Sequence, residues 1–234
     1  IVNPGDVPIV LSVTPRDFTT DADGADTWHA FGSRPDSLGD WLTFKPSYIE
    51  LPAGAETFID YEIRVPATVA GQTPVGSRWS ALAVRSDAGR RPFLAPPDGA
   101  TESTVGMKVS LVYAIKIYVS VAGTEYQSLS AVALERGEDS GSLRATFANR
   151  GNVVLRPRVW MEIRNLEGAV LGSVESLKWT LQPRAEHHYR FALGDLRTPL
   201  PDGDYQVVVL ADYGGAELEG LAASLVLEGE PGER

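Results

Sequence analysis

The sequence predicts an all-β protein made of two β-sandwich domains in tandem. Its 234 residues include 16 Pro and 23 Gly spread along the chain, which break it into short segments. Apolar residues alternate with polar ones inside these segments, and no sustained period of 3.6 indicates a helix. Turn sequences recur in the same order in both halves. Short alternating strands of this kind fit two immunoglobulin-like domains of roughly seven strands and ~100 residues each.

Three pairs of matching segments support a duplication. Residues 3–7 (NPGDV) match residues 149–153 (NRGNV), and each reads as an Asn/Gly turn before an apolar strand. Residues 51–56 match 181–186, and residues 74–76 match 201–203. We therefore divide the chain into an N-terminal domain, residues 1–122, and a C-terminal domain, residues 123–234.

The two copies differ before their first shared turn. About twenty residues, 128–148, precede that turn in the second copy, but only Ile1 and Val2 precede it in the first. The N-terminal domain is therefore expected to lack its first strand and most of its second. Either residues upstream of Ile1 complete it, or a strand of another molecule does, which would allow self-association.

One run of alternating residues is the best functional clue. Every odd position from Met107 to Val121 is apolar, so these side chains line one face of a strand. At ~3.3 Å per residue the run extends roughly 50 Å, against ~17–20 Å for an ordinary strand. Such a strand either bends between two sheets or offers an apolar edge for pairing.

Composition excludes several classes of partner. The net charge is −10 and the basic residues are scattered, which argues against nucleic acid. No apolar stretch approaches the ~20 residues of a membrane helix. No cysteine is present, so the compartment cannot be inferred from thiols. A chain that starts at Ile1 reads as a trimmed or mature product, and on this ground a periplasmic, exported or cell-surface location is expected.

No motif predicts an enzyme, a cofactor or a metal site. The chain has neither a Gly-x-Ser-x-Gly elbow nor a phosphate-binding glycine loop. The Asp-rich segment 21–26 does not have EF-hand spacing, so it is expected to be a solvated turn. His187 and His188 would face opposite sides of a strand and could not easily share an ion. The five Trp are expected in the cores, although a row of exposed Trp would suit a carbohydrate.

The sequence resembles the periplasmic pilus-assembly chaperone (PapD-like) superfamily. The resemblance rests on the segments WLTFKP (41–46), LPAG (51–54) and ALAV (81–84), together with the alternating strand that ends the first domain. In that family the strand lends its apolar side chains to a pilus subunit that lacks a strand, and a lysine of the strand holds the subunit's terminal carboxylate. The matching residues here are Met107, Val109, Leu111 and Tyr113 for the apolar series and Lys116 for the lysine.

The resemblance implies a non-enzymatic, chaperone-like protein that binds a partner subunit or an extended peptide by β-augmentation. The alternative is a pair of structural or adhesive spacer domains in an exported cell-surface protein. The edge of the 107–113 strand distinguishes these two functions. A chaperone-like protein requires this edge to be open for a partner strand, whereas spacer domains do not.

Overall fold

The computed structural model describes residues 1–87, 112–137, 141–196 and 200–227, and its regular structure is almost entirely β-strand. The first seven strands are β1 (Ile9–Thr20), β2 (Asp26–Ala30), β3 (Leu42–Lys45), β4 (Tyr48–Leu51), β5 (Asp60–Ile63), β6 (Ser77–Asp87) and β7 (Val112–Ser120). The next seven are β8 (Leu129–Arg136), β9 (Ser142–Asn149), β10 (Arg158–Arg164), β11 (Val170–Glu175), β12 (Glu186–Ala192), β13 (Gly203–Asp212) and β14 (Glu219–Leu227). Within these ranges the helical segments are two three-residue 3-10 turns, Gly39–Trp41 and Leu193–Asp195. The all-β prediction is confirmed.

The chain forms two compact units. The first comprises Ile1–Phe18, Trp28–Pro74 and Arg78–Val119, and the second comprises Thr19–Thr27, Val75–Ser77 and Ser120–Arg234, so short segments of the N-terminal half belong to the second unit. The domain limits drawn from the sequence, 1–122 and 123–234, stay a prediction.

The second unit is a sandwich of two antiparallel sheets. One has the strand order β11-β10-β13-β14 and the other has the order β12-β9-β8. Alternate residues of β10 and β13 face the core, as in the pairs Met161–Val209 and Ile163–Val207, whose side chains are almost fully buried. Strands β8, β9 and β12 form one sheet, and β10, β11, β13 and β14 form the other. This division of seven consecutive strands between two sheets is an immunoglobulin-like arrangement.

The first unit packs a larger sheet with a smaller one. The larger sheet has the order β2-β1-β6-β7, with β4 paired to β1, and the smaller sheet consists of β3 and β5. Val13 pairs with Val84 across β1 and β6, and both side chains are buried. Trp41 and Trp79 are also buried in this unit, as the sequence predicts for Trp residues in sandwich cores.

The matching turns have the same hydrogen bonds. Asn3 and Asn149 are both buried. The Asn3 amide donates to Val7 O at 2.9 Å and Leu51 O at 3.1 Å, and the Asn149 amide donates to Val153 O at 2.8 Å and to the carbonyl of Leu181 at 3.1 Å. In each turn the Asn side-chain oxygen accepts the N–H of the glycine two residues later. The match between residues 3–7 and 149–153 is therefore a match of structure.

Candidate functional site

Strand β7 lies at the end of the larger sheet of the first unit. The strand order β2-β1-β6-β7 gives it one strand neighbour, β6, among the described residues. A terminal strand carries a row of backbone N–H and C=O groups on its outer side, and such a row can pair with an additional strand. The position of β7 therefore meets the first requirement for a strand-binding site.

The exposed side chains of β7 are concentrated in its first half. Val112, Tyr113 and Ile115 are 57%, 66% and 45% exposed, whereas Ile117 is only 7% exposed. Ala114 and Lys116, between them, are exposed as well. The strand is thus anchored in the core from Ile117 onward and presents apolar surface before it.

Lys116 lies against an aromatic cluster. Its ammonium group is 4.8 Å from the centre of the Phe18 ring, within the range of a cation–π interaction. The Phe18 ring contacts Trp28 at 5.6 Å and the edge of Tyr118 at 6.0 Å, between ring centres, and Trp79 donates its indole N–H to the Phe18 carbonyl at 3.0 Å. Because Phe18 is fully buried, its ring gives the lysine a fixed support.

Two of the five residues that the sequence predicts for partner binding are described. Tyr113 and Lys116 both lie on β7, and their odd and even positions place them on opposite faces of the strand. Met107, Val109 and Leu111 lie outside the described residues. Their part in the site stays a prediction.

The sequence did not indicate Phe18 as the support of Lys116. β1 is buried on alternate residues from Leu11 to Asp17, and Phe18 then interrupts this alternation by being buried next to the buried Asp17. Two adjacent buried residues on a strand mean that both faces are covered at that point. This burial is known only from the structure, and the residues that contact Phe18 are far away in sequence, so the sequence offered no signal for the contact with Lys116.

The structure also bears on the carbohydrate, histidine and metal sites considered from the sequence. Trp41 and Trp79 are buried, so the five Trp do not form an exposed row, but Trp28 is 44% exposed and the expectation of a core position is wrong for it. His187 is buried and His188 is partly exposed, as expected for adjacent strand residues that face opposite sides. The described residues contain no group of three or more acidic, His or Cys side chains that could hold a metal ion.

The Asp-rich turn is more than a solvated turn. Asp23 is half-exposed, yet it accepts a hydrogen bond from Arg190 at 2.6 Å and lies 3.1 Å from Nδ1 of His188. The segment is an exposed turn, as the sequence predicts, but its contact with His188 was not predictable, because 165 residues separate Asp23 from His188 and no local pattern relates them.

In the ranges that the structure describes, no helix is long and apolar enough to cross a membrane. Neither a family model nor a curated protein sequence matches this chain.

Solved structures similar to this chain are chaperones of bacterial fimbriae. One is the class 5 fimbriae chaperone CfaA, at 16% identity over 97% of this chain and 90% of that chain, with a TM-score of 0.44. A chaperone–tip adhesin complex of CFA/I fimbriae biogenesis aligns at 14% identity over 95% of this chain and 88% of that chain, with a TM-score of 0.46. The E. coli chaperone DraB aligns at 13% identity over 97% and 86%, with a TM-score of 0.41.

The TM-scores are below 0.5 and the identities are 16% or less, so the role of β7 depends on the residues of this chain.

Proposed function

We propose that this chain is a non-enzymatic, chaperone-like protein of the periplasm or cell surface that holds a partner subunit or extended peptide on the edge of β7. The observation that carries the proposal is the combination of a terminal strand with exposed apolar side chains at Val112, Tyr113 and Ile115. A strand added here would gain backbone hydrogen bonds from the edge and side-chain contacts from the apolar positions.

The apolar positions supply the larger part of the binding energy. Burying an aliphatic or aromatic side chain is worth about 1.5–3 kcal/mol, and Tyr113 and Ile115 lie on the same face of β7. The predicted positions Met107, Val109 and Leu111 extend this series in the proposal. Three or four such side chains are enough for a stable complex after the costs of ordering a partner strand are subtracted.

In this proposal Lys116 holds a carboxylate of the partner. Its contact with the Phe18 ring, 4.8 Å from the ring centre, restrains the position of the ammonium group. A terminal carboxylate placed beside the ammonium group would add a charged hydrogen bond at one end of the paired strands and fix their register.

Site-specific cross-linking tests the proposal. Tyr113 is replaced by the photoreactive p-benzoylphenylalanine in the full chain, which is then irradiated in the native envelope. Tyr126 is the matched control, because it is 61% exposed against 66% for Tyr113 but lies outside β7. We expect a discrete product of another protein at position 113 and none at position 126, with the cross-linked peptide mapping to one extended segment of the partner.

A second pair of variants measures the apolar contact. Ile115→Asp should abolish formation of the product, whereas Val132→Asp, at a residue of β8 with the same 45% exposure, should leave it unchanged. Equal products at positions 113 and 126, or a product that Ile115→Asp does not affect, would contradict the strand-binding function and favour spacer domains.

A further inference from the structure

A turn of the second unit covers the outer edge of β12. In the three-stranded sheet β12-β9-β8, strand β12 is terminal among the described strands. The backbone N–H of His188 donates to the carbonyl of Ala22 at 2.8 Å. Within the turn, the Asp21 carboxylate accepts the N–H groups of Asp23 at 3.0 Å and Ala25 at 2.8 Å.

Side chains hold the turn in place. Asp23 binds Arg190 and lies beside Nδ1 of His188. Gly24 packs directly on the indole of Trp179, where a Cβ would lie 2.6 Å from a ring carbon, and its φ of 88° also favours glycine. The N–H of Thr20 donates to the side-chain oxygen of Gln182 at 3.2 Å.

A small cavity lies between the turn and β12. It has a volume of about 10 Å³ and is lined by residues that include Thr20, Asp21, Gln182 and His187. Gln182 is 3% exposed and His187 is 4% exposed, and the Nε2 atoms of both are buried without a hydrogen-bond partner from the protein. Two orphaned polar atoms beside a cavity that can hold about one water point to a bound water.

The chemistry of the two atoms defines what the water does. The Gln182 oxygen already accepts from the N–H of Thr20, so the Nε2 of Gln182 is left as a donor without a protein partner. Nε2 of a neutral His187 is able to accept a hydrogen bond. One water can accept from Gln182 and donate to His187, which satisfies both. A protonated His187 would instead present a second donor, so the water would accept from both side chains and its hydrogens would lose His187 as their acceptor.

The surroundings of His187 disfavour its charged form. The ring lies 4.5 Å from the Trp179 ring and 4.8 Å from the Tyr189 ring, between centres. Burial, with a smaller contribution from the charge of His188, lowers the pKa of His187 from 6.5 to about 4. Asp21 and Asp23 of the turn act in the opposite direction and raise the pKa of His187, and Arg190 lowers it, each by less than burial does. Glu186 also lines the cavity, and Tyr189 is neutral in this range because burial raises its pKa.

We propose that the turn formed by residues 20–25 is an acid-released cover of the β12 edge, held by one internal water shared between Gln182 and His187, and that protonation of His187 releases it. The released state exposes the terminal strand β12 to pairing with other strands, which the covered state prevents.

The direction of the pH effect follows from the proton affinities. The pKa of His187 is about 4 in the covered state, against 6.5 for a free imidazole, so a state that exposes the ring binds more protons between these values. The cover is therefore fully stable above pH 6.5 and weakens as the pH falls to about 4. The whole difference in pKa, which requires full exposure of the ring, corresponds to a shift of at most about 300-fold in the equilibrium between the covered and uncovered states. Hydrogen bonding by His188 lowers the pKa of Asp23 below 3.8, so Asp23 stays ionised through this range.

Amide hydrogen exchange of the full chain tests the proposal. The reporter is the N–H of His188, which bonds to the turn, and the control is the N–H of Leu155, which bonds to Leu181 at 2.9 Å in the same unit. After correction for intrinsic exchange, protection of His188 should fall up to about 300-fold between pH 6.5 and pH 4, while protection of Leu155 stays constant. Constant protection of His188, or a parallel loss at Leu155, would overturn the proposal.

Two variants identify the sensor. His187→Gln should remove the pH dependence of His188 protection, and Asp23→Asn should lower the protection but keep its pH dependence. A dependence that survives in His187→Gln, or disappears in Asp23→Asn, assigns the effect to another group and overturns the proposal. If His187→Gln does not fold, the imidazole resonances of the unmodified chain decide, because His187 must titrate near pH 4.

A high-resolution crystal structure at neutral pH should show the water between Gln182 and His187, and an empty cavity would refute the role of the water.

Discussion

Arg184 has in the second unit the backbone conformation that Gly54 has in the first. Their φ angles are 66° and 68°, and their N–H groups donate to the carbonyls of Asn149 at 2.9 Å and Asn3 at 3.0 Å. The shape of the repeated turn is therefore set by the backbone hydrogen bonds and not by the residue at this position. Arginine bears the strain of the left-handed region there, which glycine avoids.

Gly54→Ala should destabilise the first unit through backbone strain alone. A Cβ at this position would have no neighbour within 4 Å, so the φ angle is the only penalty, about 1 kcal/mol of unfolding free energy. Gly141→Ala is the matched control, because a Cβ there also meets nothing within 4 Å and its φ is not positive. Thermal unfolding should show a lower melting temperature for Gly54→Ala and an unchanged one for Gly141→Ala. Equal melting temperatures of the two variants would contradict backbone strain at position 54.

Asn3→Ala and Asn149→Ala should each lower the free energy of unfolding by about 2–3 kcal/mol, because each leaves buried carbonyls without their donor. Asn165→Ala offers a control, since Asn165 also closes a turn but its hydrogen bonds are exposed. Denaturant unfolding measures all three variants. If Asn3→Ala and Asn149→Ala lower the free energy of unfolding no more than Asn165→Ala does, the repeated turn is not a structural anchor.

Asp17→Asn tests a buried polar cluster of the first unit. The Asp17 carboxylate accepts hydrogen bonds from Ser37 at 2.6 Å, from Ser80 at 2.8 Å and from the backbone N–H of Ser33 at 3.1 Å. An amide presents only one acceptor atom and would turn N–H groups toward donors. We expect a loss of about 2–3 kcal/mol in unfolding free energy, against almost none for Asp60→Asn on the exposed face of β5. Equal stabilities would mean that water can replace the carboxylate.

The sequence contains the information for local features and lacks it for distant contacts. The Asn-x-Gly turns and the alternation of β7 were predictable, because turn chemistry and a period of two act within a few residues. The cover of β12 was not, since the contact of Asp23 with His188 and Arg190 depends on two segments more than 160 residues apart. The support of Lys116 by Phe18 was missed for the same reason.

The carboxylate role of Lys116 can be separated from its contact with Phe18. The probe is the partner segment that cross-links to position 113, synthesised with a free or an amidated carboxyl terminus. Lys116→Gln should weaken binding of the free acid roughly fivefold, the scale of an exposed ion pair, and leave the amide unaffected. Lys116→Arg should retain most of the preference for the acid. An equal loss for both forms of the peptide would assign Lys116 to packing.

The backbone amides of β7 give the most direct test of strand binding, because pairing of an edge strand is defined by its hydrogen bonds. Hydrogen–deuterium exchange is measured on the full chain alone and with the cross-linked partner segment bound. Amides between Val112 and Lys116 should exchange at least about tenfold more slowly in the complex, while those of β11, a terminal strand of the second unit, keep their rates. A bound partner that leaves the exchange of β7 unchanged would contradict the account.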